Sequence, residues 1–179
     1  MAAQRVRAGS TILAGAANLR RRCLDQAMTI HPDGPQVVSA HREIAAGAEP
    51  IFELIADPTE QPRWDGNNNL VASVEGRRVE ALGEVFTMTT TKGIVREIHV
   101  VEFEEGRLMA WTPAAPGQQP WGHLWRWQLE PVDAGRTRVT HTYDWTNLTD
   151  ETRFAKARST TTDNLLASID RLAALLDQV

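Results

Sequence analysis

The sequence predicts an α+β domain, a curved antiparallel sheet of seven strands closed over by one long C-terminal helix. Three observations carry this. Seven β-prone stretches lie between turn signals, six of them in hairpin succession. From Thr149 onward no proline or glycine interrupts a helical spacing. Between them stands Trp121–Glu130, where Trp121, His123, Trp125, Trp127 and Leu129 fall on every second residue. A strand places alternate side chains on opposite faces, so one face of this stretch is an aromatic wall that something apolar must cover.

The 179 residues, 42% of them hydrophobic, suffice for one ordinary globular domain. A net charge of −4 argues against a nucleic-acid partner, which favours a basic surplus. The single cysteine, Cys23, excludes an intrachain disulfide and points to a reducing, cytoplasmic setting. No apolar run approaches the roughly 18 residues of a membrane span, so no stable membrane insertion is expected.

Residues 1–36 read as a flexible basic leader and linker. Arg5, Arg7, Arg20, Arg21 and Arg22 meet no acid before Asp25, and the patch Thr11–Ala17 is too weakly apolar for a signal peptide. Met28 is an alternative start, and Thr29–Pro35 is linker by its proline and glycine. The organised domain is expected over 37–179.

Val37–Ala45 reads as the first strand, with Val38, Ala40 and Ile44 on one face and Arg42 the odd member. Ala48–Ala56 is a short helix. Pro50 sits in its first turn, and Ile51, Leu54 and Ile55 form its apolar stripe. Pro58–Arg63 holds a second helical turn, closed by Trp64-Asp65-Gly66, and Asn67-Asn68-Asn69 makes a turn that suits left-handed asparagine. The next strands are Leu70–Val74, Val85–Thr91, Ile94–Phe103 and Arg107–Thr112. Ile94–Phe103 is apolar on both faces, which hides its orientation. Pro113–Pro120 is an irregular loop, either a lid or a solvated connection.

The last strand, Thr137–Trp145, mirrors the aromatic wall with Val139, His141, Tyr143 and Trp145. Parity requires odd to face odd but leaves the register open; with Leu129 set against Val139, Trp127 falls beside His141, Trp125 beside Tyr143 and His123 beside Trp145. Thr149 is the expected N-cap of a continuous helix of about 28 residues, spanning about 42 Å at 1.5 Å per residue. Its stripe is Phe154, Arg158, Thr161, Leu165, Ile169, Leu172 and Leu176. A curved sheet gripping a cylinder leaves a gap, and such gaps become apolar cavities.

The run Val38–Asp65, with its strand, helix, Asp57-Pro58 and Trp64-Asp65, resembles the entry of the START-like (SRPBCC) superfamily. Arg107–Trp111, Trp125–Glu130 and Gly135–Trp145 resemble its polyketide cyclase/dehydrase and lipid-transport branch. The resemblance covers about residues 37–178. It implies a helix-grip fold and a small hydrophobic ligand, but not which ligand.

Two readings of the wall stand side by side. As filling, its aromatics pack under the helix and bind nothing. As lining, Trp111, His123, Trp125, Trp127, His141, Tyr143 and Leu165 touch a ligand. Taken alone, an inward histidine is a hydrogen-bonded core residue. His123 and His141 beside Tyr143 also suit acid–base work on a carbonyl, which would make the chain a cyclase or dehydrase. No nucleophile elbow, phosphate loop or zinc spacing is present, so no metal and no cofactor are expected. Binding or carriage of a lipid, polyketide or aromatic metabolite leads, with the enzyme as the alternative. An interaction module is a third reading, and the expected state is a monomer or weak homodimer.

Overall fold

The computed structural model describes residues 35–73 and 77–177; the basic leader with Cys23, and its linker as far as Gly34, lie outside them. Strands β1 (Val37–Ile44), β2 (Leu70–Ser73), β3 (Val85–Thr90) and β4 (Val95–Glu104) are followed by β5 (Leu108–Ala114), β6 (Leu124–Asp133) and β7 (Arg136–Asp144). They form one antiparallel sheet in the order β1-β7-β6-β5-β4-β3-β2. Strands β2 to β7 pair in sequence, while β1 crosses over to pair along β7. Between β1 and β2 lie helices α1 (Ala48–Ala56) and α2 (Gln61–Trp64). No described helix is long and apolar enough to cross a membrane.

The parity argument holds where β6 faces β7: Leu129 opposes Val139, Trp127 opposes His141 and Trp125 opposes Tyr143. It fails at the start of the wall. β6 begins at Leu124, because Gly122 turns the backbone at φ 98°, a conformation that favours glycine. A Cβ there would also sit 2.0 Å from the Asn147 carbonyl oxygen. His123 and Trp145 are therefore not a ladder pair. β5 runs on to Ala114 and absorbs the first two residues of the proline-rich loop.

The C-terminal helix is not continuous, which corrects the sequence expectation. A 3-10 turn at Glu151–Arg153 leads into α3 (Phe154–Arg158), and α4 (Thr162–Leu176) starts afresh. Fifteen residues give α4 a length of about 22 Å, half that expected. The break lies in a run of three threonines, whose hydroxyls compete for backbone groups. Thr161 caps α4: its hydroxyl accepts the Asn164 amide while the Asn164 side chain accepts the Thr161 amide, a reciprocal capping box. Asp150, not Thr149, caps the first turn, accepting the Thr152 amide at 3.1 Å.

Leu165, Ile169 and Leu172 of α4 are fully buried, as are Ile51 and Ile55 of α1 and Met109, Trp127, Leu129 and Val139 of the sheet. Arg42, the odd residue on the inner face of β1, forms an ion pair with Asp170 of α4. The outer sheet face carries ion pairs, Arg126 with Glu102 and Arg138 with Glu43, alongside exposed Val85 and Val95.

The turn after α2 is built from its own polar groups. Asp65 accepts the amides of Asn67, Asn69 and Leu70 at 2.8 to 3.2 Å, and Asn68 takes the left-handed φ of 52°. The Gly66 amide donates to Ser168 Oγ at 2.9 Å. A Cβ on Gly66 would meet the Asn164 carbonyl oxygen at 2.4 Å, so only glycine lets this turn seat against α4. Trp64 Nε1 donates to the Leu54 carbonyl at 2.8 Å and locks α2 to α1.

Candidate functional site

Between the concave sheet face, the α2 turn and the first part of the broken helix lies a cavity of about 260 Å³. Met88 of β3, Ile98 of β4, Trp111 of β5 and Trp125 of β6 supply apolar walls. Alternation along each strand sends these side chains inward. Gln61, His141, Tyr143, Thr160 and Ser168 add hydrogen-bonding groups. Half-buried Trp121, Arg96 and Arg153 and the exposed Lys156 mark the opening.

Of the candidates named from sequence, Trp111, His123, Trp125, His141 and Tyr143 are brought together on this lining. Trp127 and Leu165 are not. Trp127 is 1% exposed; it stacks on His141 at 3.8 Å and meets Trp64 edge-on at 5.1 Å. It forms the layer behind His141, where α2 seats on the sheet. Leu165 is wholly buried in the core under α4. Parity gives a residue's face but not its depth along the strand, and that is why both were included.

Sequence reasoning missed Arg96 and Arg153. Arg96 shares a face with Ile98 and Val100, a period-two signal masked by apolar residues on both faces of that strand. Arg153 stands in the 3-10 turn that the continuous-helix reading did not foresee. The guanidinium carbons of Arg153 and Arg96 lie 3.4 and 4.8 Å from the Trp121 ring centroid. The Trp121 and His123 rings are stacked, 6.0 Å apart and within 4° of parallel.

Burial governs the titratable groups. It pushes the His123 imidazole down to about 4, helped by the charges of Arg153 and Arg96. It pushes His141 down to about 3. A backbone group of Leu165 opposes this slightly, without the geometry of a hydrogen bond. Burial raises the Tyr143 phenol to about 12, which Arg153 opposes. At neutral pH both imidazoles are therefore uncharged and the phenol keeps its proton. His123 Nδ1, both His141 ring nitrogens and Gln61 Nε2 are buried without a protein partner. In a native interior such atoms usually find one, so they stand ready for a ligand's polar groups or water. Among the described residues, no three His, Cys, Asp or Glu side chains converge as a metal site requires.

A similar sequence is the Mycobacterium tuberculosis protein Rv0088, 30% identical over 121 residues, covering 66% of this chain and 51% of that protein. The chain thus spans about half the length of the curated relatives it matches. A crystal structure of a Rhodobacter sphaeroides protein superposes with a TM-score of 0.58 at 20% identity, covering 84% of this chain and 98% of that one. DynU16, a protein in the dynemicin biosynthetic locus, superposes at 0.56 with 17% identity, covering 80% of this chain and 48% of that one. These likenesses show the shared helix-grip fold, the START-like architecture implied by the sequence. A family model described as polyketide cyclase/dehydrase and lipid transport matches residues 35–177, and to that family the chain belongs.

Proposed function

We propose that the chain binds or carries a small hydrophobic ligand in the cavity between the sheet and the broken C-terminal helix. The observation that carries this is the lining itself, apolar walls from four strands with uncharged His and Tyr groups at one side. That composition is typical of small-molecule sites, where a few polar groups orient a mostly apolar ligand. A volume of about 260 Å³ suits a small molecule or the end of a longer one. Tryptophan fluorescence titrated with fatty acids, sterols and fused-ring aromatics tests the reading, since Trp111, Trp121 and Trp125 stand on the lining. Quenching or a spectral shift at saturable concentration is expected. No response and no thermal stabilisation by any of the three classes would refute it.

A second reading is a cyclase or dehydrase acting through His123, His141 and Tyr143. One observation favours it: the His123 and Tyr143 rings lie 5.9 Å apart on the lining, and His123 Nδ1 has no protein partner. Against it, an imidazole pushed down to about 4 is a weak base at pH 7. Alanine at each of the three positions separates the two. An enzyme loses turnover and keeps affinity; a carrier changes only in affinity.

A further inference from the structure

We propose that the cavity takes an amphipathic anion, whose apolar body lies among Met88, Ile98 and Trp111 and whose oxyanion head, a carboxylate or phosphate monoester, meets Arg96 and Arg153. The inference rests on the hydrophobic-ligand reading and gives that ligand a charge and a direction.

The charge on this surface runs against the rest of the chain. The whole protein carries −4, yet the lining holds Arg96, Arg153 and Lys156 against one carboxylate, Asp65. Both oxygens of Asp65 are committed to the amides of the turn that it builds. Arg153 gives its Nε to Asp150 at 2.9 Å, which leaves its terminal amino groups for another acceptor. Arg96 makes no ion pair among the described residues, and its guanidinium is held lower than usual by burial and by the Arg153 charge. Two like charges are thus brought to one indole, and of the two only Arg153 has a carboxylate partner among the described residues, the half-buried Asp150. Trp121 makes this arrangement tolerable, because a cation over an aromatic face is attracted to it. A guanidinium stacked on a ring keeps its N–H edge free, and that edge matches the two oxygens of a carboxylate or phosphate. An anion bound there relieves the mutual repulsion of the two arginines. A neutral ligand would not.

Calorimetry with four probes that share one alkyl chain tests the proposal: decanoate, decyl phosphate, 1-decanol and decylamine, each below its aggregation concentration. At least one anion should bind about tenfold or more tighter than decanol, about one decade in Kd, with decylamine weakest. The stronger of the two anions identifies the head group. Added salt should weaken the anions and leave decanol unchanged, because a Debye length near 10 Å screens only the charged contact. The double substitution R96Q/R153Q should bring the anions to the decanol level. In the wild type, the His123 titration near pH 4 followed by NMR should move upward with decyl phosphate, which keeps a negative charge there and offsets the two arginines, and not with decanol. Decanol binding as tightly as both anions would overturn the proposal while leaving the hydrophobic-ligand reading intact. An anion preference that survives R96Q/R153Q would do the same. Binding of none of the four would overturn both. If the double variant fails to fold, the wild-type probe ranking and the His123 shift still decide.

Discussion

The wall formed by β6, its lead-in and β7 carries two tryptophan–histidine stacks, and they have different fates. At the inner end, Trp127 and His141 are 3.8 Å apart and 1% and 3% exposed. At the outer end, Trp121 and His123 are 6.0 Å apart, half-buried, and bordered by two guanidinium groups. The residue types are the same. What differs is the neighbouring element: α1 and α2 cap the inner end, whereas a short 3-10 turn borders the outer one. An aromatic residue becomes filling or lining according to what stands opposite it, not according to its own chemistry.

Substitution at the inner pair should give the largest effect. Trp127→Ala should destabilise the fold by about 3–5 kcal/mol, the usual range for emptying a large aromatic site in a core. Urea unfolding reads it directly, and a loss under about 1 kcal/mol would erase the distinction between the two ends. The next effect is in pH. Unfolded imidazoles take a proton near pH 6.5, whereas His123 and His141 resist until about 4 and about 3. The unfolded chain therefore binds more protons in that window, and stability is complete above about pH 6.5 and declines as pH falls. Between about pH 6.5 and 4.5 the carboxylates contribute little, so the slope there belongs to histidine. His141→Phe should flatten it by up to about 1.4 kcal/mol per pH unit, measured by denaturant unfolding at stepped pH. An unchanged slope would mean that His141 is solvated after all. The smallest stability effect belongs to Trp121→Ala, about 1 kcal/mol or less, as expected for a half-exposed ring with cation–π contacts. The same variant should lose about tenfold or more in affinity for the best fluorescence ligand. A variant that was strongly destabilised and bound normally would reverse the roles of the two stacks.

Much of this was legible in the chain. The parity of β6 against β7 followed from alternation, because a one-residue slip would have turned every aromatic outward; a two-residue slip would not, so the register itself is fixed by the Pro131–Gly135 turn and the packing. The Asp65 turn and the left-handed asparagine were readable from residue type. The mouth was not. Arg96 is masked by a strand with apolar residues on both faces. Arg153 lies in a stretch whose helical spacing concealed a break. The signal for that break was present: Thr161 and Asn164, three residues apart, are the two halves of a cap. Depth, which separates Trp127 from Trp125, is set by helices arriving from elsewhere in the sequence, and a pattern of period two carries no record of them.

The interruption at Thr160 and Thr161 separates two inheritances. The part of the cover that keeps the domain folded, Leu165, Ile169 and Leu172, begins only after it. The charged side chains at the opening, Arg153 and Lys156, come before it. A lineage carrying this fold can therefore exchange the residues at its entrance, retuning charge and size, while α4 stays seated by Gly66 and Ser168. One short irregularity sets the charged side chains of the entrance apart from the apolar ones that hold the core.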